Sequence, residues 1–141
     1  MRKLERHHIK ALEDYWINHN QNIKDLKYRE WELMSRNSDD ENSGGGSNSV
    51  RQISKPTEQL AVRLMEDKLY QNLTTIIKVV KNLYKEADVD TRYVVDNRYW
   101  CANRDVMEWD DIAYELGYSR SKVLRIRNGL IDETAELIGY A

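Results

Sequence analysis

Apolar residues recur at three- and four-residue intervals along two long stretches of this chain and one short one, the spacing of amphipathic helices. In the first, Leu12, Trp16, His19, Ile23, Leu26, Glu30 and Leu33 alternate at four and three residues, the seam of a helix that packs on another helix. His19 and Glu30 interrupt that seam, and Asn18, Asn20 and Asn22 are weak helix formers that favour a break around His19 to Asn22. The second seam runs through Val62, Leu69, Leu73, Ile76, Val80, Leu83 and Ala87, with Glu66 the exception. Pro56, Thr57 and Glu58 make a helix start, since proline is tolerated in the first turn and an acid favours the positive end of the dipole. Leu60, Leu64, Met65, Ile77, Val79 and Tyr84 widen the second stripe beyond what two helices need to cover. Each buried aliphatic side chain stabilises by about 1.5 to 3 kcal/mol, so a wet stripe is costly and oligomerisation is favoured. The carboxy-terminal region is the other available cover.

The short stretch is Trp109 to Asn128, W-D-D-I-A-Y-E-L-G-Y-S-R-S-K-V-L-R-I-R-N. Ile112, Leu116, Tyr118, Val123 and Ile126 have the spacing of two short helices whose inner faces meet, and Ala113 is small enough to let the backbones approach. Between them Gly117 can take a positive φ and end the first helix, while Ser119 can cap the amides that begin the second. The expected unit is helix, tight turn, helix, with Ile112, Ala113, Leu116, Gly117, Val123 and Ile126 as its core.

Turning 100° per residue sorts the second helix into faces. Val123 and Ile126 mark the buried side; Ser121, Leu124, Arg125 and Asn128 project the opposite way. Lys122 and Arg127 lie on the flanks and Arg120 at the exposed start, and Ser119 to Leu130 contains no acid. Such a face suits the major groove. Arginine bonds bidentately to guanine, asparagine to adenine, leucine meets a thymine methyl, and flanking cations hold phosphates. The expected base readers are therefore Ser121, Leu124, Arg125 and Asn128, with Ser119, Arg120, Lys122 and Arg127 on phosphates. The competing reading is a solvated basic face on an ordinary helical pair, because helix-turn-helix spacing arises by chance.

Composition changes this picture in only a few ways. The 141 residues carry a net charge of only -2, so nucleic acid is announced by a local ridge and not by an overall basic field. The expected organisation is an amino-terminal helical arm (1–36), a mobile Gly/Ser/Asn tether (37–55), a long central helix (56–88) and a carboxy-terminal DNA-binding domain (89–141). The long helices form a hairpin or an oligomerisation bundle through Leu12, Trp16, Ile23, Leu26, Val62, Leu69, Leu73, Ile76, Val80 and Leu83. A shorter helix around Thr91 to Trp100 is expected to bury some of Tyr93, Val94, Val95, Tyr99 and Trp100 against the helix-turn-helix, and Gly129 to loosen an amphipathic tail that ends in Ile138 and Tyr140.

The remaining chemistry is sparse. Glu5 and His8 have Glu-x-x-His spacing, but a carboxylate-bridged metal site needs a second copy and further carboxylates. Gly44-Gly45-Gly46 lacks the lysine-threonine helix start of a phosphate cradle. Asp105, Glu108, Asp110 and Asp111 suit a loop and a first helical turn better than a metal nuclease. Cys101 has no partner for a disulfide and no base nearby in sequence. No enzyme, metal or cofactor is expected. With no apolar run long enough to span a bilayer and no signal-peptide pattern at the charged start, a cytoplasmic location is expected. Arg2, Lys3, Arg6 and Lys10 are open to two readings, phosphate contacts beside the recognition helix or a solvated helix end.

The W-D-D-I-A-Y-E-L-G-Y-S-R-S-K-V-L-R-I-R stretch resembles the helix-turn-helix of sigma-factor region 4. Together with the upstream Arg98-Tyr99-Trp100, the Leu12 to Leu33 helix, the polar tether and the Pro56-Thr57-Glu58 start, it is similar to phage late-gene transcriptional regulators of the RinA and ArpU type. That resemblance implies an all-α activator that binds promoter DNA of a late operon of packaging, structural and lysis genes. It also allows contact with host RNA polymerase. From the residues themselves two other classes stay open: an adaptor whose basic helix binds an acidic protein such as a polymerase subunit, and a structural helical phage protein that touches no DNA.

Overall fold

In a computed structural model, which describes residues 3–43 and 56–139, every regular element is helical. In chain order these are α1 (Arg6–Ile17), α2 (His19–Ser43), α3 (Pro56–Glu66), α4 (Lys68–Glu86), α5 (Val89–Val94), a π-helical turn (Val95–Tyr99), a 3-10 turn (Asn103–Asp105), α6 (Trp109–Leu116) and α7 (Arg120–Ile138). No helix among the described residues is long and apolar enough to cross a membrane. The helices group into two units, Met1–Asn20 with Ile76–Ala141, and Gln21–Thr75.

The first unit is built on two adjoining cores. In one, Leu12 and Trp16 of α1 meet Val80 and Leu83 of α4, Val95 and Tyr99 of the π turn, and Leu130, Ile131 and Ala135 of α7. In the other, Val94 packs with Ile112 and Ala113 of α6 and Val123 of α7. Neighbouring residues on a helix point about 100° apart. Val94 and Val95, consecutive where α5 widens into the π turn, therefore serve one core each. Asp88 caps α5 by accepting from the Thr91 amide at 2.8 Å, which holds its carboxyl below the usual carboxylate range.

Among the described residues, the buried side-chain polar atoms of this unit are paired with one exception. Trp16 Nε1–H donates to Thr134 Oγ1 at 3.1 Å, and the Thr134 hydroxyl donates to the Leu130 carbonyl at 2.7 Å. Trp100 Nε1–H donates to the Trp16 carbonyl at 2.8 Å. His19 is the exception: it is buried and stacked on Trp100 at 5.5 Å, and its Nδ1 has no partner. Burial, helped by Lys81, holds its pKa below the ordinary 6.5.

In the second unit the Arg29 guanidinium grips Asp67 with two hydrogen bonds, Nε to Oδ2 at 3.0 Å and Nη2 to Oδ1 at 2.6 Å. The Asp67 Oδ2 also accepts from the Tyr70 amide at 2.8 Å, so one carboxylate starts α4 and ties it to α2. Leu33 is buried; Tyr28, Trp31 and Met34 on α2 and Val62, Met65 and Leu69 on α3 and α4 are exposed.

Several expected boundaries change. The amino-terminal helix breaks at Asn18, at the edge of the expected window. The central helix is interrupted at Asp67, because its side chain caps the segment that follows. α2 continues to Ser43, so the tether does not begin at residue 37, and its remainder, Gly44 to Lys55, lies outside the described residues. The first helix belongs with the carboxy-terminal region and not with a separate arm, because Leu12 and Trp16 are sealed against α4, the π turn and α7. The expected seam divides accordingly: Leu12, Trp16, Val80 and Leu83 are buried, Ile23, Leu26, Leu73 and Ile76 half-buried, and Val62 and Leu69 exposed. α7 runs through Gly129 without a break. Ile138 packs on the first core, and Tyr140 lies outside the described residues.

Candidate nucleic-acid interface

α6 ends at Leu116, and Gly117 follows it at φ 73°, the left-handed conformation that glycine adopts without Cβ strain. The Gly117 amide donates to the Tyr114 carbonyl at 3.2 Å and the Tyr118 amide to the Ala113 carbonyl at 2.9 Å, which satisfies two carbonyls left free at the helix end. Two residues later the Ser119 hydroxyl accepts from the Lys122 amide at 3.2 Å and starts α7. This occupies the Ser119 hydroxyl as a cap. Ile112, Ala113 and Val123 are buried, and Leu116 and Ile126 half-buried beside them, so five of the six expected core residues sit where the two helices meet, and the sixth, Gly117, is exposed in the turn.

The outward face of α7 is open. Ser121, Arg125 and Asn128 are exposed, as are Arg120 and Lys122, while Leu124 is half-buried. Arg120 Nε lies 3.5 Å from the Asp110 carboxylate, and both side chains are mostly exposed. Lys122 Nζ sits 3.8 Å above the Tyr118 ring. That ring is anchored by its hydroxyl, which donates to Asp90 Oδ2 at 2.6 Å, a bond that raises the phenol's pKa. Arg125 stands at the edge of a cleft that also holds Glu86, Asp88 and Glu133.

Arg127 corrects the expectation of a phosphate contact. Its guanidinium turns inward, 3.7 Å from Glu13 Oε1 and 5.4 Å over the Trp109 ring, and its side chain is only 19% exposed. Glu13 also accepts from the Tyr99 hydroxyl at 2.5 Å; burial and this carboxylate push the Tyr99 pKa far up. Arg127 therefore neutralises a carboxylate between α1 and α7. Its Nε–H donates to Asn128 Oδ1 at 2.8 Å, which orients the neighbouring carboxamide. Sequence reasoning missed Glu13 as Arg127's partner, and Tyr99 as the donor that shares that carboxylate. The available signal was Glu13 itself, an acid next to Leu12 and one turn before Trp16 on the inner side of α1.

Charge on α7 runs against its dipole. The first turn contains no acid and the last turn no base, and Asp132, Glu133 and Glu136 fill the second half. Cations at a helix amino terminus and acids toward its carboxyl end each cost stability. The same arrangement concentrates positive potential at the amino-terminal end of α7, where free amides and dipole also favour an anion.

Other candidate groups resolve into structure. Ligand atoms of Glu5, His7 and His8 lie within 4.8 Å of one another on the surface. His8 Nδ1 accepts from the Glu5 amide at 3.2 Å in the capping box that begins α1. Asp110 and Asp111 occupy the first turn of α6. Cys101 is half-buried, with Sγ 3.1 Å from the Asn97 carbonyl.

Fold and surface together define an all-helical protein with an exposed basic ridge on the second helix of a tightly turned pair. The chain belongs to the family described as DUF722, protein of unknown function, whose model matches residues 3–136. No curated protein and no solved structure matches it.

Proposed function

We propose that the chain is a sequence-specific DNA-binding transcriptional activator, reading promoter DNA with the first half of α7 as the recognition helix of a sigma region 4-like helix-turn-helix. The observation that carries this reading is the exposure of Ser121, Arg125 and Asn128 on a helix whose start is basic against its own dipole. Arg125 and Asn128 contact bases, Ser121 and Leu124 stand beside them, and Arg120 and Lys122 hold phosphates. Resemblance to phage late-gene regulators assigns the target to a late operon and allows RNA polymerase as a further partner. The exposed apolar residues of α2, α3 and α4 support assembly of copies. A dimer would present two reading heads to half-sites roughly 34 Å, or about 10 base pairs, apart.

Selection of duplexes from a random pool, followed by footprinting and titration, tests the reading. Arg125→Ala is expected to cost about 1 to 3 kcal/mol and relax preference at one position. Lys122→Ala is expected to weaken all duplexes evenly and to reduce the salt slope by about 0.9. Full affinity in both variants, or no footprint from the intact chain, rejects DNA reading in favour of an adaptor or structural role.

A further inference from the structure

The start of the chain meets the recognition helix at one place. Lys3, Leu4 and Ile9 on one side and Arg127, Asn128, Ile131 and Asp132 on the other line an open groove of about 350 Å³. Leu4 and Ile9 are packed on the core that holds Leu12, Trp16, Leu130 and Ile131. Glu13 is joined to Arg127, and Trp16 to Thr134. The first turn of α1 is thereby fixed in position against α7.

Lys3, which precedes α1 and lines the groove, and Arg6, the first residue of α1 and three before Ile9 of the groove wall, are exposed, and neither forms an ion pair among the described residues. The acids nearby are Glu5, which lies 3.4 Å from His7 Nδ1, and the half-buried Asp132. Asn128 lies nine residues beyond the Ser119 cap, which at 1.5 Å per residue is about 13 Å along the helix axis. A major groove is about 12 Å wide. A helix that enters the groove by its amino terminus therefore has Asn128 as its last base-reading residue, and what lies beside Asn128 toward the carboxyl end borders the phosphates of the far wall.

We infer that Lys3 and Arg6 form a second, sequence-independent DNA contact, holding the phosphates that border the groove where α7 leaves it. This inference rests on the reading of α7 as the DNA-binding helix. It makes α1 a positioning element: the helix that closes the core also sets how far α7 slides into the groove. Asp132 repels the backbone beyond that point and limits the footprint.

The test uses the full chain and a fluorescent duplex that the wild-type chain has selected from a random-sequence pool, titrated between 50 and 200 mM KCl. Each phosphate contact adds about 0.9 to the salt slope. The double variant Lys3→Ala/Arg6→Ala is therefore expected to flatten the slope by about 1.8, so that its affinity falls about twelvefold less across that range. Its selected sequence is expected to stay unchanged. Lys3→Glu/Arg6→Glu is expected to bind more weakly still, with unaltered helical circular dichroism. An unchanged slope in the alanine variant, while Arg125→Ala still loses binding, overturns the second contact and leaves the α7 reading standing. A wild-type chain that selects no duplex sequence, or one indifferent to Arg125→Ala, overturns both.

Discussion

The two units of this chain use the same amphipathic helices to opposite ends. In the first, Leu12, Trp16, Val80, Val94, Val95, Ile112 and Val123 are sealed completely, and the indole of Trp16 finds a hydroxyl inside the core. In the second, Leu33 is the only buried hydrophobic side chain among the described residues, while Trp31 is 58% and Met65 75% exposed. What ties α2 to the α3–α4 junction there includes a paired arginine and aspartate, whose two hydrogen bonds fix the geometry of the link. On the proposed function, the surface that would read DNA needs fixed side-chain positions, and those come from a closed core. An assembly surface needs apolar area left over, and that comes from an open one.

The sharpest way to break this contrast is to open the closed side. Trp16→Ala removes a fully buried indole and the donor that the Thr134 hydroxyl accepts from, and is expected to cost about 3 to 5 kcal/mol. Urea denaturation followed by far-UV circular dichroism measures it; a loss below about 1 kcal/mol would mean that the α1–α7 contact is not part of the stable fold. Because α1 carries Glu13, the same substitution is expected to loosen Arg127 and, through it, Asn128.

How much of this was legible follows from where each signal resides. Gly117 and Ser119 act through local backbone geometry, so the turn and the helices on either side could be read from the residues alone. The exposed face of α7 followed from 3.6-residue periodicity once Val123 was placed inside. Arg127 was misread because a flank position can face solvent or a neighbouring helix, and the neighbour, Glu13, is more than a hundred residues away. The break at Asp67 escaped for a related reason. A single aspartate inside a strong helical pattern is weak evidence, and Arg29, which fixes it, lies on another helix. The partition at residue 37 followed composition, whereas packing joins α1 to the carboxy-terminal region.

Protonation probes the closed unit more gently. Folding lowers the His19 pKa, mainly by burial and then by the charge of Lys81. A histidine whose folded pKa is lowered contributes stability that is fully present above its ordinary value of 6.5 and is lost as pH falls through the folded value. The thermal midpoint is therefore expected to drop as pH falls from 7 toward 5. His19→Phe keeps an aromatic face for Trp100 and removes the titration, so its midpoint should fall less over that interval. Parallel pH profiles of the two chains would contradict the assignment.

The smallest effect on folding is expected on the open side. Met65→Gln replaces an exposed thioether with an amide, and substitutions at such positions change stability by no more than about 0.5 kcal/mol. If the exposed apolar residues exist for assembly, the measurable change lies elsewhere, in mass against concentration by light scattering. The glutamine variant should dissociate at higher protein concentration than the wild type while its urea midpoint, measured at high dilution, stays put. A substitution that lowered the midpoint at high dilution by several times that amount would show Met65 to be covered within one chain. The second unit would then be a closed core like the first, and the contrast between them would fail at its weaker side.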